Sequence, residues 1–346
     1  MELSKILPLV EKPARYTGGE LNMAVKQNEE VRFVFAFPDL YEIGMSHLGG
    51  KIIYHALNER EDTYCERVYA PWTDMEGLMR QNNIPLFSLE TKRPVKDADL
   101  FGFTLQYEMC YTTVINMIDL AGLPLLAADR TEGPFVFAGG PCTYHAEPLA
   151  PFMDFYALGD GEEELNDLIE IYKEWKKSGR ERKEFLRALA RTQGFYVPSF
   201  YDIEYYEDGR IKSITPNEPD APPMAVRRIV EDFENAYYPV KPVVPYIEAV
   251  HDRVMLEILR GCTRGCRFCQ AGYIYRPVRE RSVNKLCELA EETIKNTGYD
   301  EISLTSLSSG DYSRLPELLE RMSDAFKARG VTCSLPSLRL DSFSVD

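Results

Sequence analysis

The sequence predicts an α/β protein made of two successive blocks of parallel sheet with helices on both faces. Three observations carry that expectation. Apolar runs of strand length alternate with helically spaced segments from residue 31 to about 180, and the same alternation restarts at 252. Between them the rhythm breaks into a hairpin pattern around Glu207-Asp208-Gly209 and two proline-rich runs, PDAPP at 219–223 and YYPVKPVVPY at 237–246. Ligands on sheets of this kind sit in the crevice beyond the carboxyl ends of the strands.

Taken in order, residues 1–30 read as a polar lead-in. VRFVFAFP at 31–38 is a strand ending in a Pro-Asp turn, and Met45, Leu48, Ile52, Ile53 and Leu57 give 44–60 a helical stripe. Strands follow at 64–70, 99–105, 134–140 and 154–160, and helices at 75–81 and 107–122. The helix at 162–179 starts acidic, ends basic and is followed by glycine. Glu162 and Glu163 there complement the helix dipole rather than form acid–base machinery. In the second block 253–259, 301–307 and 331–340 are strands, and 282–298 and 313–330 are helices, the first with Ser282 as N-cap.

Composition narrows the function. The net charge of −15 argues against a general nucleic-acid-binding surface, which needs lysine and arginine against phosphate. No run of about 18 apolar residues suggests a membrane span, and the apolar stretch Ile6–Val10 is too short for a secretory signal. Both point to the cytoplasm. The eight cysteines are not spaced as a secreted disulfide framework.

Three of them are packed together in Gly261-Cys262-Thr-Arg-Gly-Cys266-Arg-Phe-Cys269, directly after a strand. A cubane iron–sulfur cluster normally takes four cysteine thiolates. Three leave one iron open, and an open coordination position is what separates a reactive metal site from a closed structural one. A zinc knuckle would want a fourth Cys or His nearby, and His251, the nearest histidine, lies on the far side of the strand.

The C-x3-C-x2-C spacing, with aromatic Phe268 just before the last cysteine, resembles the radical S-adenosylmethionine superfamily. The resemblance implies a four-iron, four-sulfur cluster on Cys262, Cys266 and Cys269. It implies S-adenosylmethionine chelated at the open iron and cleaved reductively to a 5′-deoxyadenosyl radical. An electron donor such as flavodoxin or ferredoxin would supply the electron. The turn Ser306-Leu-Ser308-Ser309-Gly310-Asp311 stands where related enzymes receive the methionyl amine, and Ser337 and Arg339 end the next strand facing the same cofactor. A loop turn with Asp311 as helix cap is the bland alternative for the first, ordinary strand-end polar residues for the second. The arginines after the cluster read as solvated loop residues.

Residues 31–185 resemble the cobalamin-binding-type domain, a Rossmann-like parallel sheet, that precedes the radical domain in a bacterial subgroup of the superfamily. The resemblance rests on the five-strand alternation, on Gly139-Gly140-Pro141 and on Gly159-Asp160-Gly161-Glu162. Glycines at both places would let the backbone approach a bulky ligand. The subgroup's Asp-x-His-x-x-Gly is Met45-Ser46-His47-Leu48-Gly49-Gly50 here, so the carboxylate that would orient the imidazole is missing and His47 reads as a cap or packing residue. Cobalamin would then sit without that ligand, with methyl transfer as the reaction it implies, or the domain is a relic that binds substrate instead and the reaction is a cobalamin-independent C–H abstraction.

The expected layout is a lead-in at 1–30, the α/β domain at 31–185, a hairpin and proline-rich linker at 186–250, and at 251–346 the first half of a radical S-adenosylmethionine partial β/α barrel. Only part of that barrel is in the sequence, so the chain is expected to be an amino-terminal part of a longer protein. Its last strand, left as an open edge, would make it poorly stable alone. A non-enzymatic iron–sulfur or zinc scaffold or sensor is the competing class. No substrate is legible.

Overall fold

A computed structural model describes residues 3–339, which form two compact units, one ending at Val230 and the other starting at Glu231. No helix among the described residues is long and apolar enough to cross a membrane.

The first unit is a six-stranded sheet in the order β2-β1-β3-β4-β5-β6. Its strands are β1 (Val31–Phe37), β2 (Thr63–Tyr69), β3 (Leu100–Thr104), β4 (Phe135–Gly139), β5 (Phe155–Ala157) and β6 (Phe195–Tyr196). The first five run parallel and β6 is antiparallel to β5. All seven residues of β1 are buried, as expected of a strand covered on both faces. Helices α1 (Leu48–Glu59), α2 (Thr73–Asn82), α3 (Tyr111–Leu120), α4 (Gly161–Ser178) and α5 (Arg182–Ala190) connect the strands. The order reverses between β1 and β3, which sets a switch point there.

The lead-in is not a loose polar segment. Glu20 is buried against Arg67 of β2 at 2.9 Å, Arg15 pairs with Glu42 at 2.8 Å, and Ile6 is fully buried. These residues anchor the lead-in to the unit, while the outer backbone of edge strand β2 is met at Arg67 by the Leu89 N–H and the Glu90 carboxylate, at 2.8 and 2.6 Å. Arg67 also holds Glu90 at 2.6 Å, and Arg32 of β1 pairs with Glu66. Buried charges survive only when paired in this way.

The segment read as a linker is split between the units. Residues 186–190 complete α5, and Phe195–Tyr196 adds β6, a strand too short to show a period in sequence. The chain returns along the end of β5: Arg228 donates its N–H to Leu158 at 2.7 Å and accepts from Asp160 at 3.1 Å. The hairpin β7 (Tyr201–Tyr205) with β8 (Ile211–Pro216) stands as its own two-stranded sheet. Beyond the boundary, Glu234 accepts from the Ser282 N–H at 2.7 Å, and Tyr238 donates to the Met255 carbonyl at 3.0 Å. The proline-rich run 237–246 therefore belongs to the second unit's fabric.

The second unit is a three-stranded parallel sheet in the order β13-β12-β9, made of β9 (Val254–Glu257), β12 (Glu301–Thr305) and β13 (Thr332–Ser334). Helices α6 (Val283–Thr297) and α7 (Leu315–Phe326) make the crossovers. Ser282 caps α6 by accepting from the Lys285 N–H, as expected. The third strand is three residues long rather than ten, because Pro336 and Ser337, at φ +60°, cannot continue a ladder. Residue 340, its expected end, lies outside the described residues.

Candidate metal centre

The cysteine loop hangs from a break in the first strand of the second unit. After β9, Ile258 still donates its N–H to Thr305 of β12, at 3.1 Å, while its carbonyl accepts from Arg281 at 3.0 Å. The chain then turns out of the sheet as β10 (Leu259–Arg260), antiparallel to β11 (Arg279–Glu280). Gly261 follows at φ +96°. A Cβ there would stand 2.6 Å from the carbonyl oxygens of Tyr275 and Pro277, so only glycine lets the outgoing and returning backbones meet.

Beyond this neck the loop carries Cys262, Cys266 and Cys269. All three are free thiols and partly exposed, whereas Cys65, Cys110 and Cys142 of the first unit are buried. The Cys269 N–H donates to the Cys266 carbonyl at 3.0 Å, closing a turn between the last two. Phe268 points into solvent at 93% exposure, unusual for so large an apolar side chain and unrelated to any packing need.

The other expected residues meet this loop. Asp311 is held by a two-pronged pair from Arg264, with Nε at 2.8 Å, and this hydrogen bond keeps its carboxyl below the usual carboxylate range. The Ser309 N–H donates to the Ser337 carbonyl at 3.3 Å. Arg339 donates from Nη1 to the Cys266 sulfur at 3.3 Å. Residues at the carboxyl ends of β9–β10, β12 and β13 thus converge, as ligand-binding loops do on parallel sheets. Ser308, Ser309, Gly310, Asp311, Ser337 and Arg339 all lie in this neighbourhood.

Two observations test whether the site fits a cluster and a bound cofactor. The donor set is three free thiols on one loop. Among the described residues no three Cys, His, Asp or Glu side chains converge on one point as a single metal ion requires. A cubane asks for something else, since each thiolate holds a different iron. The second observation is Ser308. Its Oγ is buried beside the Asp311 carboxylate yet has no well-formed hydrogen bond among the described residues. The hydroxyl stands with the Asp311 carboxylate as its neighbour, two polar groups that a ligand at these strand ends would meet together. Both observations fit.

Arg264 makes the contact of this neighbourhood that the sequence conceals. It lies inside the cysteine motif, but its partner is 47 residues away, and no local pattern announces a pair across two strand ends.

The expected residues of the first unit behave differently. A Cβ at Gly159, φ +127°, would lie 2.0 Å from the Arg228 carbonyl oxygen, and one at Gly140 2.8 Å from that of Leu105. Beside Gly161 the nearest atom is Ile53 Cδ1, and beside Gly139 the Ala157 carbonyl. At Gly140 and Gly159 the missing side chain makes room for the chain's own backbone, whereas at Gly139 the nearest atom stands at ordinary contact distance, 3.7 Å. His47 is the N-cap of α1: its Nδ1 accepts from the Gly50 N–H at 2.9 Å. Burial, with the ring against Phe37, pushes its pKa down to about 4. Met45, where an aspartate would orient that imidazole, instead accepts at its sulfur from Arg67 and Tyr69, at 3.2 and 3.1 Å.

Against this geometry, comparison with known proteins is direct. Residues 49–198 match the family of radical SAM proteins, N-terminal, and residues 256–344 match the radical SAM superfamily. The chain belongs to the radical S-adenosylmethionine superfamily. It is 31% identical over 268 residues to the uncharacterized protein MJ0966 of Methanocaldococcus jannaschii, which covers 77% of this chain and 50% of that protein. The chain therefore spans about half the length of the curated relative it matches. Among solved structures it is similar to the radical S-adenosylmethionine methyltransferase TsrM of Kitasatospora setae with cobalamin and a [4Fe-4S] cluster bound. That likeness is 14% in identity with a TM-score of 0.48, over 87% of this chain and 53% of the other. The same enzyme with tryptophan substrate and the S-adenosylmethionine analogue aza-SAM bound gives 14% and 0.47, over 86% and 52%.

Proposed function

We propose that this chain carries the cluster-binding part of a radical S-adenosylmethionine enzyme, with Cys262, Cys266 and Cys269 as the ligands of a four-iron, four-sulfur cluster. The observation that carries the reading is a loop of three free, partly exposed thiols tied to the neighbouring strand ends by the Arg264–Asp311 pair and the Arg339–Cys266 contact. When bound, the cluster supplies the electron that cleaves S-adenosylmethionine to a 5′-deoxyadenosyl radical. The chain's own part is to hold and orient. The Ser308 hydroxyl and the ionised Asp311 carboxylate are the acceptors for the methionyl ammonium, and Phe268 offers an exposed ring for the nucleoside. Arg264 fixes Asp311 against the cysteine loop, so one end of the site cannot move without the other.

Cobalamin, in this reading, lies at the carboxyl end of the first unit's sheet without His47 as a ligand, because Nδ1 accepts from the Gly50 N–H and the neutral ring then carries its proton on Nε2. Methyl transfer is the reaction such a cofactor supports. A flavodoxin- or ferredoxin-class donor and a cytoplasmic setting complete the proposal, and the substrate is left open.

The test is anaerobic reconstitution of the chain with iron and sulfide, followed by EPR of the dithionite-reduced cluster with and without S-adenosylmethionine. The expected result is about four irons per chain, a signal that changes on addition, and loss of the cluster in Cys262→Ala, Cys266→Ala and Cys269→Ala. Bound zinc in place of iron, or a cluster indifferent to S-adenosylmethionine, would favour the scaffold class instead.

A further inference from the structure

We infer that Arg339 sets the reduction potential of the cluster through its contact with the Cys266 sulfur. The inference rests on the cluster assignment above and adds a role to it. Arg339 Nη1 stands 3.3 Å from Cys266 Sγ, within reach of an N–H···S hydrogen bond. The donor comes from beyond β13 and the acceptor from the loop after β10, 73 residues apart, so the contact depends on the fold rather than on local chain geometry.

The physical consequence follows from charge. Adding one electron to a cubane makes the cluster and its thiolates more negative. A guanidinium is permanently cationic, and hydrogen bonds to the sulfurs are among the levers that set cluster potentials. A charge-assisted donor on one ligating sulfur favours the reduced form over the oxidised one. The Cys266 thiol is partly buried, so water screens the contact less than it would on an open surface. Of the two arginines that tie the loop to its neighbours, Arg264 spends its planar edge on Asp311. Arg339 donates to the Cys266 thiol and adds its charge beside Asp311. The two therefore divide the work: Arg264 holds position and Arg339 adjusts the electronics. No bond is made or broken in the step considered; one electron enters from dithionite and the cluster is reduced.

The test is a mediated redox titration of the reconstituted chain, followed by EPR, on the unaltered protein and on Arg339→Gln, Arg339→Lys and Arg264→Gln. In Arg339→Gln the ratio of reduced to oxidised cluster at a fixed potential should fall about tenfold, a midpoint lower by about 59 mV for a one-electron couple. Arg339→Lys, which keeps the charge without the planar fork, should lie between, and Arg264→Gln should shift the midpoint less than Arg339→Gln. An unchanged midpoint in Arg339→Gln, with the cluster intact, overturns the role of Arg339 while leaving the cluster assignment standing. If Arg339→Gln assembles no cluster, Arg339→Ala, which also removes the charge, decides: a midpoint equal to the unaltered one sinks the inference. Failure of the unaltered chain to assemble a cluster overturns both readings together.

Discussion

The two units present the same kind of surface, the carboxyl end of a parallel sheet, and finish it in opposite ways. In the first, the loops after β4 and β5 are glycine-rich, and the space those glycines leave is taken up by Leu105, Arg228 and Ile53. Its thiols are buried and its acidic and basic groups are paired internally. In the second, one glycine closes the neck of a loop, and beyond it the chain leaves three thiols, an exposed phenylalanine and a buried hydroxyl lacking a well-formed bond. A glycine motif therefore says that something comes close; only the coordinates say whether that something is a ligand or the protein itself. Side chains left unsatisfied at strand ends are the more direct sign of a binding site.

The sharpest way to break this contrast is at Arg67. Substitution by alanine leaves Glu20 and Glu90 buried without their cation, and losing one partner of a buried pair costs about 3–5 kcal/mol. The expected result in a urea melt is collapse of the first unit's transition. A melt shifted by less than about 1 kcal/mol would mean that these pairs contribute no more than surface ones.

A smaller effect separates the two kinds of glycine. Gly159→Ala forces a Cβ into the Arg228 backbone at a φ that side chains rarely adopt, and should cost upward of about 3 kcal/mol. Gly265→Ala, at φ +65° in the cysteine loop with open space around it, should cost only about 1–2 kcal/mol. Denaturant midpoints of the two variants measure the difference. Equal costs would remove the distinction between a filled and an open loop.

The last effect is in pH. Burial lowers the pKa of His47 to about 4 and that of His55 to about 3, against an ordinary value near 6.5. The folded state therefore binds fewer protons than the unfolded one between those values. Stability from these groups is present above pH 6.5 and declines as pH falls toward 4. In His47→Asn, which keeps an N-cap acceptor, the loss between pH 6.5 and 4 should be shallower. An unchanged slope would show that the His47 ring does not titrate on unfolding.

Much of this was legible from residue pattern. The alternation of strand and helix in both blocks, the Ser282 cap and the cysteine spacing rest on local periodicity and local hydrogen bonding, which sequence carries directly. The two-residue β6 had no period to read. The lead-in looked polar because Arg15 and Glu20 are charged, and only their partners Glu42 and Arg67 make them interior residues. The Arg264–Asp311 and Arg339–Cys266 contacts cross strand ends far apart in the chain, so they follow from the fold alone.

The neck of the cysteine loop has a further consequence. The Arg260–Arg279 pairing makes residues 261–278 a ring whose closure is secured by backbone, not by metal. Closing a flexible ring of that length costs about 2.6 kcal/mol by the usual logarithmic scaling. Because the neck closes it in the fold, inorganic iron and sulfide need not draw the ends together. A cluster assembling on these thiols would meet a loop already closed, with Gly261 packed against the carbonyls of Tyr275 and Pro277.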